Sequence, residues 1–391
     1  MVTEAPLRLA IVAGEESGDL LGADLVGALR RRYQGDVVLT GVGGEHLTAL
    51  GLDSLFDQHE IALVGLSAIV SKLPQLIRRI SQLANAIVAA KPDCLLIIDS
   101  PDFTHRVARK VRAADPSIPI INYISPSVWA WRPERAKAMR SYIDHVLAIL
   151  PFEVQVLKDL EGPPATYVGH RLVSHAPLLE AADSNRAREM QLAERVEKNV
   201  VVLPGSRRSE VMSLVGPFGE TVELLAERGN RIRITLPTLP KMAPLVSELT
   251  GNWRQQPRIV VGEAERLMAF AEADAALAAS GTVSLELALA RIPTVLSYRP
   301  DRLARTFLAP RITIWSAALP NIIADEPVVP EYFNEFVRAG SLARQLEQLL
   351  IPGHRRNAQL ESFDKIRGLM QTDRPSGEIA AEKVLEFAKR D

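Results

Sequence analysis

The chain has 391 residues, 47% of them hydrophobic and 24% charged, and its 46 basic side chains stand against 47 acidic ones for a formal charge of −1. That is the composition of a globular protein of two or three domains, and it excludes disordered, collagen-like and low-complexity chains. A charge so near zero gives no global attraction to nucleic acid or to anionic membrane, so any basic surface has to be local. The longest uncharged run, 116–131, is 16 residues, short of the roughly 20 apolar residues that span a bilayer. Glu4, Glu15, Glu16 and Asp19 bracket the first apolar run, which is not the pattern of a secretory leader, and a cytoplasmic chain is expected. A single cysteine, Cys94, permits no intrachain disulfide and reads as a buried core thiol.

From the first residues onward, short apolar runs alternate with amphipathic stretches, the pattern of strands and crossover helices in a parallel sheet. Strands are expected at Leu7–Ala13, Val37–Val42, Cys94–Ile98, 118–124, 146–150 and 166–168, all near-continuous apolar runs suited to burial on both faces. After a polar stretch at 180–198, a second series is expected at 200–203, 231–236, 259–261, 275–278 and 294–297. The fold class is therefore α/β, with two Rossmann-like doubly wound domains facing a cleft and C-terminal helices packing back. The expected domains are 1–172 and 173–365, with 366–391 as a helical segment returning to the first. Segment 61–83 differs from the rest. It joins apolar positions at mixed helical spacing, Leu66, Ile69 and Leu73 among them, to Lys72, Arg78 and Arg79, with no acid after Glu60. Two readings stand: a helix lying on a membrane surface, or a core helix broken at Pro74.

The loop GEESGD, 14–19, follows the first strand and opens a helix with Leu21, Leu25 and Leu29 on one face. Its spacing is not that of a dinucleotide fingerprint; its small residues either let backbone N–H groups approach a ligand or form a tight turn capped by Ser17. A second glycine cluster, 41–44, ends the next strand and is open to a plain turn reading. Asp99 and Asp102 stand at the carboxyl tip of the Cys94–Ile98 strand, where open α/β sheets bind ligands. One of them suits a general base, and capping of the following helix is the competing reading. Residues 125–133 hold Trp129 and Trp131 between prolines, either as flat faces for a sugar ring or acyl chain or as packing under the loop. LPGSR, 203–207, sets Arg207 behind a glycine turn, an arrangement suited to bidentate contact with a diphosphate. Ser280, Gly281 and Thr282 lead into a helix carrying Glu286, offering N–H groups and hydroxyls to an anion and a carboxylate to ribose hydroxyls. No HExxH, Cys–His ligand spacing, DxD, P-loop or GxSxG occurs. Neither metal nor cofactor is expected, and leaving-group charge falls to Arg207 and a helix dipole.

GEESGD, IDSPDF at 98–103, SPSVWAWR at 125–132, VGH at 168–170, LPGSR, ASGT followed by Glu286, and Leu319-Pro320-Asn321 occur in one order over most of the chain. In this the chain resembles the lipid-A-disaccharide synthases, inverting glycosyltransferases of the two-domain GT-B type. The resemblance implies that UDP-2,3-diacylglucosamine donates its sugar to the 6-hydroxyl of 2,3-diacylglucosamine 1-phosphate, forming the β(1→6) disaccharide of lipid A and releasing UDP. It implies Asp99 as general base and Arg207 on the UDP phosphates, with Ser17, Ser280, Gly281, Thr282, Glu286 and Asn321 lining the cleft. Trp129, Trp131 and Asp102 then fall toward the acceptor or its acyl chains, and Leu66, Ile69 and Leu73 toward the cytoplasmic face of the inner membrane of a Gram-negative bacterium. Thr104, Arg171 and Ser174 depart from the family pattern, which has asparagine, proline and aspartate there. Nucleic acid is not an expected partner, and the oligomeric state is left open, a homodimer included. Two other readings compete: a UDP-N-acetylglucosamine 2-epimerase, which needs no lipid-facing surface, and a two-lobed binding module, in which Asp99 would be idle.

Overall fold

Apolar runs without polar alternation fit strands covered on both faces. In the computed structural model, which describes residues 4–61, 66–300 and 314–388 (of 66–73 the backbone alone), they build two six-stranded parallel sheets. The first contains β1 (Leu7–Ala13), β2 (Val37–Val42), β3 (Cys94–Ile98), β4 (Ile120–Tyr123), β5 (His145–Ala148) and β6 (Ala165–Tyr167), in the order β2-β1-β3-β4-β5-β6. The second contains β7 (Lys198–Leu203), β8 (Ile232–Thr238), β9 (Arg258–Val261), β10 (Ala275–Ala279), β11 (Thr294–Tyr298) and β12 (Glu331–Phe333), in the order β12-β11-β10-β7-β8-β9. Each sheet reverses its direction of growth once, between β1 and β3 and between β7 and β10. At such a switch point the loops leaving neighbouring strands diverge to opposite faces and open a crevice at the carboxyl ends.

The chain divides into two compact units, residues 1–171 with 372–391, and residues 172–371. In the first unit the strands bury alternate residues on opposite faces. Ala10, Val12, Leu95 and Ile97 meet Leu76, Ile80, Leu83 and Ile87 of helix Leu66–Ala90 and Val107 and Val111 of helix Pro101–Ala114. Leu9, Ile11, Leu96 and Ile98 meet Leu21, Leu25 and Leu29 of helix Glu16–Arg32 and Ala380, Ala381 and Val384 of helix Ser376–Ala388. Cys94 is fully buried in this second layer, and burial pushes its thiol above the ordinary range. The second unit's core joins β7, β8, β10 and β11 to helices Arg208–Glu227 and Ala339–Leu349.

Several sequence expectations shift for physical reasons. Helix Leu66–Ala90 runs on through Pro74, its ninth residue, where the ring removes one interior N–H from the helical ladder without ending the helix. Arg79 is not a free base: its guanidinium donates to both oxygens of Glu60, at 2.8 and 2.9 Å, and lies over the Phe56 ring. From Leu76 onward the helix is core-packed on one side, with Ile77 51% exposed on the other. The side chains of Leu66, Ile69 and Leu73 lie outside the described residues. Strand 146–150 ends at Ala148 because the N–H groups of Ile149 and Leu150 turn to the Glu153 carboxylate. The polar stretch 180–198 holds the end of helix Ala176–Glu189. β12, three half-buried residues beginning with Glu331, carries no apolar run that would have announced it. Among the described residues no helix is long and apolar enough to cross a membrane.

Candidate active site

The register of the first sheet sets Ala13 of β1 opposite Ile98 of β3, so GEESGD and the Asp99 segment leave the sheet side by side at its switch point. Their contact is too close for a side chain between them. A Cβ on Gly14 would fall 2.3 Å from Ser100 Oγ, and one on Gly18 would fall 3.3 Å from Ile98 Cγ2 and 3.6 Å from Asp99 Cβ. Asp99 and Ser100 both take left-handed backbone, φ 54° and 45°, a conformation costing a non-glycine residue about 1 kcal/mol or more and held only where surroundings impose it. Thr104 helps impose it: its hydroxyl donates to the carbonyl of Asp99 at 2.7 Å and of Ser100 at 3.1 Å. The departure at this position thus still supports the aspartate, through a hydroxyl.

The half-buried Asp99 carboxylate accepts the Ser100 N–H at 2.7 Å on one oxygen, and the Ser17 hydroxyl lies 3.4 Å from the other. It has no basic partner among the described residues. Asp102 caps nothing and is instead paired with Arg135 at 2.9 Å. Ser17 is not the helix cap either: Glu15 occupies that position. Sequence reasoning passed over Asp19, which is buried and accepts the N–H groups of Gly44, His46 and Leu47 at 2.6, 2.8 and 3.3 Å. The acid closing GEESGD therefore clamps the second glycine cluster and caps the short helix Glu45–Ala49. At the carboxyl end of β6, Gly169 of VGH (φ 87°) passes against Thr372, the point where the chain re-enters this unit.

Both tryptophans of the 125–133 loop are half-buried. Trp129 sets its ring edge-on to Phe152 at 5.4 Å and donates its indole N–H to Glu153 at 3.2 Å. Burial lifts the Glu153 carboxyl to about 7 although three N–H donors favour its charged form. Trp131 carries Arg132 over its ring at 4.3 Å and Arg135 at 5.4 Å, so a sugar stacking there would have to displace a guanidinium.

At the second switch point Leu203 of β7 lies opposite Ala278 of β10, which brings LPGSR and Ser280, Gly281 and Thr282 to one end of adjacent strands. Gly205 makes the turn at φ 121°. Glu210, the third residue of the following helix, accepts the N–H groups of Ser206 and Arg207 at 3.0 and 3.2 Å and the Arg207 guanidinium at 3.0 Å. An internal carboxylate thus fills the helix N-terminus that would suit a phosphate. Arg207 remains 69% exposed, free to swing to an external anion. Ser280 donates to the Ala317 carbonyl at 3.0 Å, while Gly281 and Thr282 are exposed. Glu286 is paired through one oxygen with Arg266, a partner sequence reasoning did not supply. Asn321 is buried: its amide accepts the Val329 N–H at 2.7 Å and donates to the Val329 carbonyl at 3.0 Å, which fixes the loop before β12. Among the described residues no three His, Cys, Asp or Glu side chains are grouped to hold a metal ion.

A family model described as lipid-A-disaccharide synthetase matches residues 9–384. The chain belongs to the lipid-A-disaccharide synthase family. It is 46% identical over 391 residues to the lipid-A-disaccharide synthase of Rhodopseudomonas palustris strain HaA2, covering 99% of this chain and 98% of that one. It is 44% identical over 380 residues to that of Nitrobacter winogradskyi, covering 97% and 95%. Among solved structures it is similar to Acinetobacter baumannii MurG, with a TM-score of 0.60, 13% identity and coverage of 98% and 100%. It is also similar to a Methanocaldococcus jannaschii UDP-GlcNAc 2-epimerase crystallised with UDP-GlcNAc and UDP, with a TM-score of 0.59, 13% identity and coverage of 97% and 100%. At such identities the likeness is of fold, and the epimerase reading is not favoured against synthases matched nearly end to end.

Proposed function

We propose that this member of the family condenses UDP-2,3-diacylglucosamine with 2,3-diacylglucosamine 1-phosphate, giving the β(1→6)-linked lipid A disaccharide 1-phosphate and UDP. The observation that carries the proposal is that the motif pairs which define the resemblance flank the switch point of each sheet, Asp99 with GEESGD in one and Arg207 with Ser280 to Thr282 in the other. The first unit then serves the acceptor and the second the UDP-sugar. Asp99 takes the proton of the acceptor 6-hydroxyl as its oxygen forms a bond to the anomeric carbon. The bond from that carbon to the UDP phosphate breaks with inversion, and the pair of electrons leaves with UDP. Arg207, released from Glu210, meets the growing charge on the diphosphate, a role that strengthens toward the transition state. Thr282 and Glu286 serve the nucleotide, the latter through its oxygen not held by Arg266. The loop of Trp129 and Trp131 borders the acceptor and its acyl chains.

Both substrates carry acyl chains, so the enzyme works at the inner-membrane surface as a peripheral protein, with the start of helix Leu66–Ala90 and its Leu66, Ile69 and Leu73 as the contact. Drawing acyl methylenes into water costs about 0.8 kcal/mol each, which apolar protein surface beside the site would offset. UDP release is the direct test. Purified enzyme mixed with the diacylated donor and the diacylated acceptor should release UDP and form disaccharide, and unacylated UDP-N-acetylglucosamine should be a far poorer donor. Equal rates with the unacylated donor, or epimerisation of it without transfer, would overturn the reading.

A further inference from the structure

Beside the Asp99 segment the first unit carries a second concave feature. A pocket of about 150 Å³ opens between helix Pro101–Ala114 and the segment from Pro126 to Tyr142, and its lining brings Arg106, Arg109 and Arg135 together with a single carboxylate, Asp102. Among the described residues only Arg135 is paired with that carboxylate. Arg109 donates to the Tyr142 hydroxyl at 3.1 Å and lies over its ring, and Arg106 has no partner among the described residues. Arg106 and Arg109 stand one helical turn apart on one face of the helix and are both exposed, so their guanidinium groups are open to an anion from solvent. His105, in the pocket wall, does not add to the charge. Burial, followed by the positive field of Arg109 and Arg135, holds it down at about 4, and its Nδ1 lies 3.1 Å from the Tyr142 hydroxyl that positions Arg109. In a chain of net charge −1, this is a local excess of forked donors over carboxylates.

We infer that the pocket binds the phosphate monoester of the lipid acceptor, with Arg106 and Arg109 as the phosphate ligands and Arg135 at its edge. The site shares its rim with the helix that follows the proposed base and with the loop that follows the neighbouring strand β4. Pro101 and Asp102 begin the helix that follows Asp99 and Ser100, and Pro126 belongs to the tryptophan loop. An acceptor sugar offering its 6-hydroxyl to Asp99 carries its phosphate on the other side of the ring oxygen, about one sugar ring away. Guanidinium forks suit this group better than ammonium because two parallel N–H donors match two phosphate oxygens. The inference rests on the acceptor proposed above, and its tests include a reading that needs no turnover.

That reading is an NMR titration of the full chain with glucosamine 1-phosphate, against glucosamine as the probe without phosphate. The wild type should bind the phosphorylated sugar alone, and an Arg106→Ala, Arg109→Ala double variant should weaken binding by about tenfold or more, the cost of losing a charge-assisted contact. Arg109→Lys should restore part of it, and Lys110→Ala, a charge lost from the same helix outside the pocket, should leave it unchanged. In the transfer assay the double variant should raise KM for diacylglucosamine 1-phosphate more than it lowers kcat, and should lose the preference for this acceptor over its dephosphorylated form. Equal binding of glucosamine 1-phosphate by wild type and double variant, or an undiminished preference for the phosphorylated acceptor, would overturn the assignment. A double variant that loses affinity for acceptor-free vesicles of anionic phospholipid while keeping that preference would assign the arginines to bilayer phosphates instead. Wild-type enzyme that turns over neither acceptor would remove the proposed function, and the titration would still decide what the pocket binds.

Discussion

Gly14→Ala probes whether GEESGD and the Asp99 segment are interlocked. The added methyl group would lie 2.3 Å from Ser100 Oγ and 2.4 Å from Ser100 Cβ. Ser100 has little room to retreat: its backbone is left-handed, its N–H is bonded to the Asp99 carboxylate, and its carbonyl accepts from Thr104. Overpacking of this kind costs about 1–3 kcal/mol. Ser100→Gly removes the atoms that clash and relieves left-handed strain of about 1 kcal/mol, so alone it should be neutral or stabilising. Urea unfolding of the two single variants and the double variant should then give a coupling energy of about 1 kcal/mol or more, with most of the Gly14→Ala loss recovered in the double variant. UDP-release rates should follow, because a displaced Ser100 carries Asp99 with it. Strictly additive effects, or a Gly14→Ala protein with unchanged stability and rate, would refute the interlock.

Arg207→Ala should weaken UDP binding and slow turnover together by about tenfold or more, with Arg207→Lys recovering only part because it loses the planar fork; calorimetry with UDP and the rate assay check it, and unchanged values would remove the role. Burial raises Glu153 from 4.5 to about 7, so the folded protein keeps a proton that the unfolded chain releases, and stability falls as pH rises through that window. The stability advantage of wild type over Glu153→Gln should therefore shrink by about 2–3 kcal/mol between about pH 5 and about pH 8; a difference independent of pH in urea unfolding would contradict the raised value. Replacing Leu66, Ile69 and Leu73 together with serine should reduce vesicle co-sedimentation while leaving a cooperative melt, whereas core positions would cost roughly 2–5 kcal/mol each and abolish it.

The strands were legible because a residue buried on both faces of a sheet has no polar freedom: Cys94–Ile98 and Leu7–Ala13 form at the expected residues. Their edges were not, because ends are set by partners distant in sequence, as when Glu153 draws Ile149 and Leu150 out of the sheet. The positions of Asp99 and Arg207 at strand tips followed from sequence, since a loop after an apolar run must start at the carboxyl end. What could not follow was the identity of the neighbours. Asp19 clamping Gly44, Glu210 occupying the turn before Arg207, and Arg266 on Glu286 all depend on helix geometry or strand order. Asp19 had a signal, an acid at the end of a helix's first turn facing a glycine turn, that becomes readable once β1 and β2 are known to be neighbours. The partition of the tryptophans was equally hidden, because Trp129 is tied by Glu153 and Trp131 by arginines.

The central claim is that Asp99 removes the acceptor proton while the nucleotide is held elsewhere. Asp99→Ala, assayed for UDP release and in parallel for UDP affinity by calorimetry, separates the two. Turnover should fall by about 10²- to 10⁴-fold, the worth of a positioned general base, with UDP affinity nearly unchanged and Asp102→Ala losing less. An Asp99→Ala enzyme that keeps more than about a tenth of the wild-type rate would contradict the account.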